Sequence, residues 1–183
     1  MNRNPKKLTL LPSQQLLQQV WDYILTRPNK KGEYKKNIHE CLFLLGWKVG
    51  LRISEAISFD LAFEHQQSEY KNLYLLRGKG QKERWVYLSK EIKQELKKRN
   101  WQPHQTKRST FFDFLQQIKQ EMNLAPNLEL SPQTLRRCFA THNALAGMPL
   151  PVLQKVLGHS KISTTALYIR DSDLNNLVKF KPI

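Results

Sequence analysis

The sequence predicts a mainly α-helical domain with one small antiparallel β-sheet, an α+β arrangement in a single folded unit. Three observations carry this. Apolar residues recur with a 3.6-residue period along most of the chain, between recognisable start and stop residues. The period changes between residues 61 and 88, where two short, partly aromatic and β-branched runs flank a glycine-containing turn. No repeat, low-complexity stretch or linker divides the 183 residues, a length that one domain accommodates.

Taken in order, residues 1–7 form a basic N-terminal tail. Ser13 is placed to cap a helix whose apolar positions are Leu16, Leu17, Val20, Trp21 and Ile24, and the Arg27-Pro28-Asn29-Lys30-Lys31-Gly32 stretch ends it. A second helix carries Ile38, Cys41, Leu42, Leu45 and Val49 on one face and closes at Gly50; a short helical run begins at Arg52-Ile53-Ser54-Glu55-Ala56. Residues 72–77 and 83–88 read as a β-hairpin with the basic, glycine-flanked tip Gly78-Lys79-Gly80-Gln81-Lys82. Ser89 opens a lysine-rich helix to about Arg99, and a polar loop with Pro103 follows. Phe111, Leu115, Ile118 and Met122 mark the next helix. Ser131-Pro132 is a strong start signal, serine as N-cap and proline in the first turn, for a helix with Leu135, Cys138, Phe139 and His142 on one face. A short helix near Val152 stops at Gly158, another is expected from about Ser163 to Asp171, and residues 174–183 form a C-terminal tail.

Charge restricts the function classes. Thirty Lys and Arg against fifteen acids leave +15, which favours a polyanion partner. The excess is distributed: residues 1–60 hold 10 basic and 5 acidic side chains, residues 61–120 hold 13 and 6, residues 121–183 hold 7 and 4. That distribution suits a folded groove better than a disordered basic tail. A basic soluble protein with a solvated lysine surface is the plainer alternative, and charge alone does not separate DNA from RNA or an anionic membrane. No stretch approaches the ~18 consecutive apolar residues of a membrane span, and the basic N-terminus runs into a hydrophilic segment rather than a secretory core. Cys41 and Cys138 lack metal-ligand spacing, which points to buried thiols in a reduced cytosolic setting.

Three segments turn charge into chemistry. Gly50-Leu51-Arg52-Ile53-Ser54-Glu55-Ala56 puts an arginine at a helix start, and Leu135-Arg136-Arg137-Cys138-Phe139-Ala140-Thr141-His142 holds a second. Leu157-Gly158-His159-Ser160 leads through Thr164-Thr165-Ala166-Leu167 to Tyr168. Each has an ordinary structural explanation: a salt-bridged Arg52, a helix stop with a capping imidazole at His159, a packed or surface Tyr168, an exposed turn at Lys79. Their order and spacing together, 23 residues from Arg136 to His159 and 9 on to Tyr168, resemble the catalytic domain of the tyrosine recombinases, the phage integrase family. The likeness runs from about Leu8 to Arg170, and the catalytic domain is expected over residues 8–173, without the N-terminal core-binding domain that typical members carry.

The resemblance implies a site-specific recombinase or integrase that needs no cofactor and no metal. Tyr168 would displace one DNA strand at a phosphodiester, leaving a 3′-phosphotyrosyl link and a free 5′-hydroxyl, so that one difficult exchange becomes two similar reversible steps. Arg52 and Arg136 would clamp the non-bridging oxygens of the transition state with guanidinium forks that lysine cannot reproduce. His159 would donate a further hydrogen bond, and Lys79 would protonate the departing 5′-oxygen. The sequence departs from the family at Gln133, three residues before Arg136, where a histidine is usual. Glutamine can donate a hydrogen bond but cannot accept the tyrosine proton as a base near neutral pH; general bases contribute roughly 10²–10⁴ in rate. Arg137 likewise replaces a residue that is often histidine. The implied partners are double-stranded DNA and further copies of the chain, a dimer or tetramer on DNA, with residues 174–183 packing on a neighbouring subunit or folding back in cis; no membrane is implied. A catalytically impaired, recombinase-derived DNA-binding protein is the alternative that Gln133 and the missing N-terminal domain favour, and a type IB topoisomerase-like relaxer, which the short length and the integrase-like motifs disfavour, is a third.

Other residues keep structural readings. His142 is expected to be packed and hydrogen-bonded, and Lys93, Lys97, Lys98 and Arg99 to form a solvated helix face. Trp21, Trp47 and Trp85 are expected to be core or partly buried, and Trp101 lies in the polar loop. Glu55, three residues after Arg52, either orients that guanidinium or supports its helix.

Overall fold

A computed structural model of the chain describes residues 10–28, 33–77, 83–159, 161 and 163. Among these residues, seven helices and two paired strands follow the expected order: α1 (Gln14–Thr26), α2 (Glu33–Trp47), α3 (Ile53–Ile57), β1 (Leu73–Arg77), β2 (Glu83–Tyr87), α4 (Lys90–Lys98), α5 (Arg108–Glu121), α6 (Pro132–Leu145) and α7 (Leu150–Leu157). Two single 3₁₀ turns, Leu61–Phe63 and Ser68–Tyr70, join α3 to β1 and were not anticipated. The helix expected from Ser163, the hairpin tip and both tails lie outside the described residues.

The start signals act as their chemistry requires. Ser13, Ser89 and Ser131 each accept a hydrogen bond from the backbone N–H three residues on, satisfying a donor the first helical turn leaves open. Gly50 (φ +74°) and Gly158 (φ +63°) take the left-handed conformation just beyond α2 and at the end of α7. α2 is the central helix: Cys41 to Leu45 are all buried, and α1, α3, α4, α5 and α6 pack around it. α6 and α7 bury a second, smaller cluster of Phe139, Ala140, Leu153 and Leu157.

β1 and β2 pair antiparallel with Leu75 opposite Trp85 and Leu76 opposite Arg84. Tyr74, Leu76 and Val86 face the core. Trp85 falls on the other face and is 42% exposed, so of the two expected placements, core or partly buried, the core is ruled out. The solvated face expected on α4 is also only half right. Lys97 and Lys98 are exposed, but Arg99 is tucked against Glu40 at 2.5 Å and against Glu95, and Lys93 pairs with Glu64 at 2.6 Å. Trp101 is buried and donates its indole N–H to the Phe59 carbonyl at 2.9 Å. His142 is half-buried and hydrogen-bonded to the Pro12 backbone, as expected. Among the described residues, no helix is long and apolar enough to cross a membrane.

Candidate active site

Arg52, Arg136 and His159 come from three distant segments and converge. Arg52 is the N-cap of α3, fixed there by the turn that Gly50 makes after α2. Its backbone N–H donates to Glu55 Oε2 at 2.8 Å and its Nη1 to Glu55 Oε1 at 2.9 Å, while Nη2 lies 3.4 Å from the Gly158 carbonyl oxygen. The Arg52 side chain remains 44% exposed. Arg136, in the second turn of α6, is only 7% exposed. Its Nη1 donates to the Gly50 carbonyl at 2.7 Å and its Nη2 to the Leu157 carbonyl. The same Nη2 stands 3.4 Å from His159 Nε2. Arginine has no acceptor, so Nε2 must present its lone pair in that contact.

His159 follows the left-handed Gly158 directly, and its backbone is pinned on both sides by Gln154: His159 N donates to the Gln154 carbonyl at 3.1 Å, and Gln154 Nε2 donates to the His159 carbonyl at 3.0 Å. Burial, then the charges of Arg136, Arg52 and Arg84, push the imidazole pKa down to about 4, so it is neutral at neutral pH.

Glu55 is the buried hub that the sequence showed only as a companion of Arg52. Its carboxylate takes a two-pronged fork from Arg84, Nη1 to Oε1 at 2.7 Å and Nη2 to Oε2 at 2.8 Å. Arg136 Nη1 stands 3.6 Å from Oε2. Arg84 itself was missed by sequence reasoning. Its only local signal is a charge on a strand position whose neighbours in phase, Val86 and Leu88, are buried and apolar.

These groups open on a cleft of about 1390 Å³ between β2, α3 and the end of α7, lined by Arg52, Glu55, Arg84, Lys155, Gly158 and His159. Arg136 sits behind this lining. Gln133 is exposed in the first turn of α6, one turn before Arg136 and outside the cleft wall. Lys79 and Tyr168 lie outside the described residues. Among the described residues, no group of three or more His, Cys, Asp or Glu side chains is arranged to hold a metal ion. The arrangement suits recognition of a tetrahedral anion: an accessible guanidinium and an imidazole face the opening, backed by a second guanidinium.

Residues 14–175 match the model of the family described as the phage integrase family. The tyrosine recombinase XerA of Pyrococcus furiosus is 28% identical over 182 residues, 92% of this chain and 60% of that protein. XerC of Chlamydia caviae is 30% identical over 186 residues, 91% of this chain and 56% of its own length. The chain thus spans three-fifths or less of these curated relatives. Among solved structures, the XerH site-specific recombinase bound to palindromic difH substrate superposes with a TM-score of 0.77 at 17% identity, covering 95% of this chain and 54% of that one. The catalytic domain of bacteriophage HP1 integrase gives 0.65 at 20% identity and covers 96% of both chains. At these identities the structures speak for the fold alone.

Proposed function

The chain belongs to the phage integrase family, and from that premise we propose that it is a site-specific recombinase that cleaves and rejoins double-stranded DNA through Tyr168. The observation that carries the reading is the convergence of Arg52, Arg136 and His159, from α3, α6 and the end of α7, around one basic cleft. In this reading the Tyr168 oxygen attacks the phosphorus, the bond to the 5′-oxygen breaks, and a 3′-phosphotyrosyl ester keeps the bond energy for rejoining. Arg52 and Arg136 take the charge that gathers on the non-bridging oxygens, His159 adds a hydrogen bond, and Lys79 gives its proton to the departing 5′-oxygen. Gln133 stands in the sequence where the family usually has a histidine, and as it cannot act as a base it leaves the phenol proton to solvent. Residues 8–173 act as the catalytic unit, assembled as a dimer or tetramer on DNA in the cytoplasm.

The test is a nicked duplex selected for binding from a randomised pool, incubated with the protein without metal and resolved on a denaturing gel. A covalent adduct that disappears in Tyr168→Phe is expected. Binding without adduct overturns strand transfer and favours a silent DNA-binding protein, the reading for which Gln133 speaks. A faster adduct in Gln133→His would identify the missing base as the limit on rate.

A further inference from the structure

We propose that Arg84 is a positioning residue of this site: its guanidinium sets the Glu55 carboxylate, and through it Arg52 and the turn bearing His159, in the geometry that receives a phosphate. The inference rests on the strand-transfer reading and adds a residue that the reading does not use.

Geometry separates Arg84 from Arg52. Arg52 faces the cleft with donors to spare, whereas Arg84 is 11% exposed and directed into protein on three sides. Two of its nitrogens engage both oxygens of Glu55, and its Nε donates to the Val156 carbonyl at 2.8 Å, in the last turn of α7. Its aliphatic stem lies against Gly158, where an added Cβ would stand 2.9 Å from Arg84 Cδ. One side chain on β2 thereby fixes α3 through Glu55 and the end of α7 through Val156 and Gly158. Arg52 hangs from the first of these and His159 follows the second.

Stability alone is a poor reason for this arrangement. A buried ion pair replaced by well-packed apolar residues of similar volume is often neutral or stabilising, and Arg84 occupies a core-facing strand position that an aliphatic side chain could fill. What the pair supplies is direction. With both oxygens held by a planar fork, Glu55 has one orientation left in which to meet the Arg52 backbone N–H and Nη1. A lysine would neutralise the charge without fixing that plane.

The experiment compares Arg84→Met, Arg84→Lys, Glu55→Gln and the double variant Glu55→Gln/Arg84→Met in the full chain. Adduct formation on the selected nicked duplex is measured at saturating protein, beside affinity for the intact duplex and thermal melting. Arg84→Met is expected to slow adduct formation about 10²-fold at saturation, the scale of a misplacement near 1 Å, with little change in affinity. Arg84→Lys should recover little of that loss. The double variant, which removes the buried carboxylate together with its partner and so protects folding, should be no slower than either single variant, because one unit is being broken. A folded double variant that reacts at the parent's rate overturns the role. So do full recovery by lysine, and losses confined to melting temperature and folded fraction. A parent protein that binds the duplex but forms no adduct overturns strand transfer and, with it, the role of Arg84; an undiminished rate in the variants overturns only the latter.

Discussion

At Glu55 one carboxylate receives the Arg84 fork and two bonds from Arg52, and its ionisation is tied to that company. Burial by itself would raise its pKa; hydrogen bonds and charge from Arg84, with those of Arg52, outweigh it and hold the group at about 2 against an ordinary 4.5. The folded-state value lies below the unfolded one, so the contribution is full above the ordinary value and is lost as pH falls from there to about 2. Glu55→Gln, which leaves Arg84 buried without its anion, is expected to cost about 3–5 kcal/mol at neutral pH. In thermal melts the variant should lose less stability than the parent as pH falls through that window. His159 carries the second pH dependence. Its pKa of about 4 lies below the ordinary 6.5, so its contribution to stability also falls as pH drops between those values. A bound phosphate opposes the shift by favouring the imidazolium, so DNA binding should take up a proton. Affinity for a duplex is expected to rise more from about pH 7 to 5 in the parent than in His159→Gln, as measured by fluorescence anisotropy. Arg52, Arg136 and His159 were legible in the sequence because their spacing forms a pattern. Arg84 was not, since its partners lie 29 and 72 residues away and no local rule links them.

At the scale of elements, α6 shows how a start signal and a distant glycine together place Arg136. Ser131 caps the helix by accepting from Thr134 N at 3.1 Å, and Gly50 supplies the carbonyl that fixes Arg136 Nη1. Ser131→Ala should lower stability by about 1 kcal/mol, the usual cost of a lost cap, and leave adduct formation per folded molecule nearly unchanged. Gly50→Ala is expected to be far more damaging. Its φ of +74° disfavours a side chain, and the new Cβ would stand 2.4 Å from Phe139 Cδ1, so strain and a clash coincide at the turn that orients both arginines. The expected loss is on the order of 3 kcal/mol or more, read by chemical denaturation, with a larger effect on adduct rate than Ser131→Ala produces. Elements with local punctuation (Ser13, Ser89, Ser131-Pro132, Gly158) were readable in the sequence nearly to the residue. The phase of the hairpin was not. Leu73-Tyr74-Leu75-Leu76 is apolar on both faces, so alternation could not tell that Trp85 points outward and Arg84 inward.

For the whole molecule, net charge and stability draw on different populations of side chains, and that separates their responses to salt. Glu40, Glu55 and Glu64 are each held by a cation within the fold, and Glu121 and Glu129 are ion-paired at its periphery. Each acid so engaged cancels one cation, so the +15 excess that the chain presents to a polyanion rests on basic side chains outside these pairs. Buried pairs are screened weakly by salt, whereas contacts to DNA phosphates release condensed counterions and weaken steeply. If the cleft and its surroundings engage about six phosphates, affinity for a duplex should fall by about 10³ between 50 and 200 mM salt. Over the same range the melting temperature should hardly move, because the Arg84–Glu55 and Arg99–Glu40 pairs are shielded from solvent. Parallel salt titrations of binding and of thermal unfolding decide the matter. A melting temperature that falls together with affinity would mean that exposed pairs hold the fold. A flat affinity would mean that the basic excess does not meet phosphate at all.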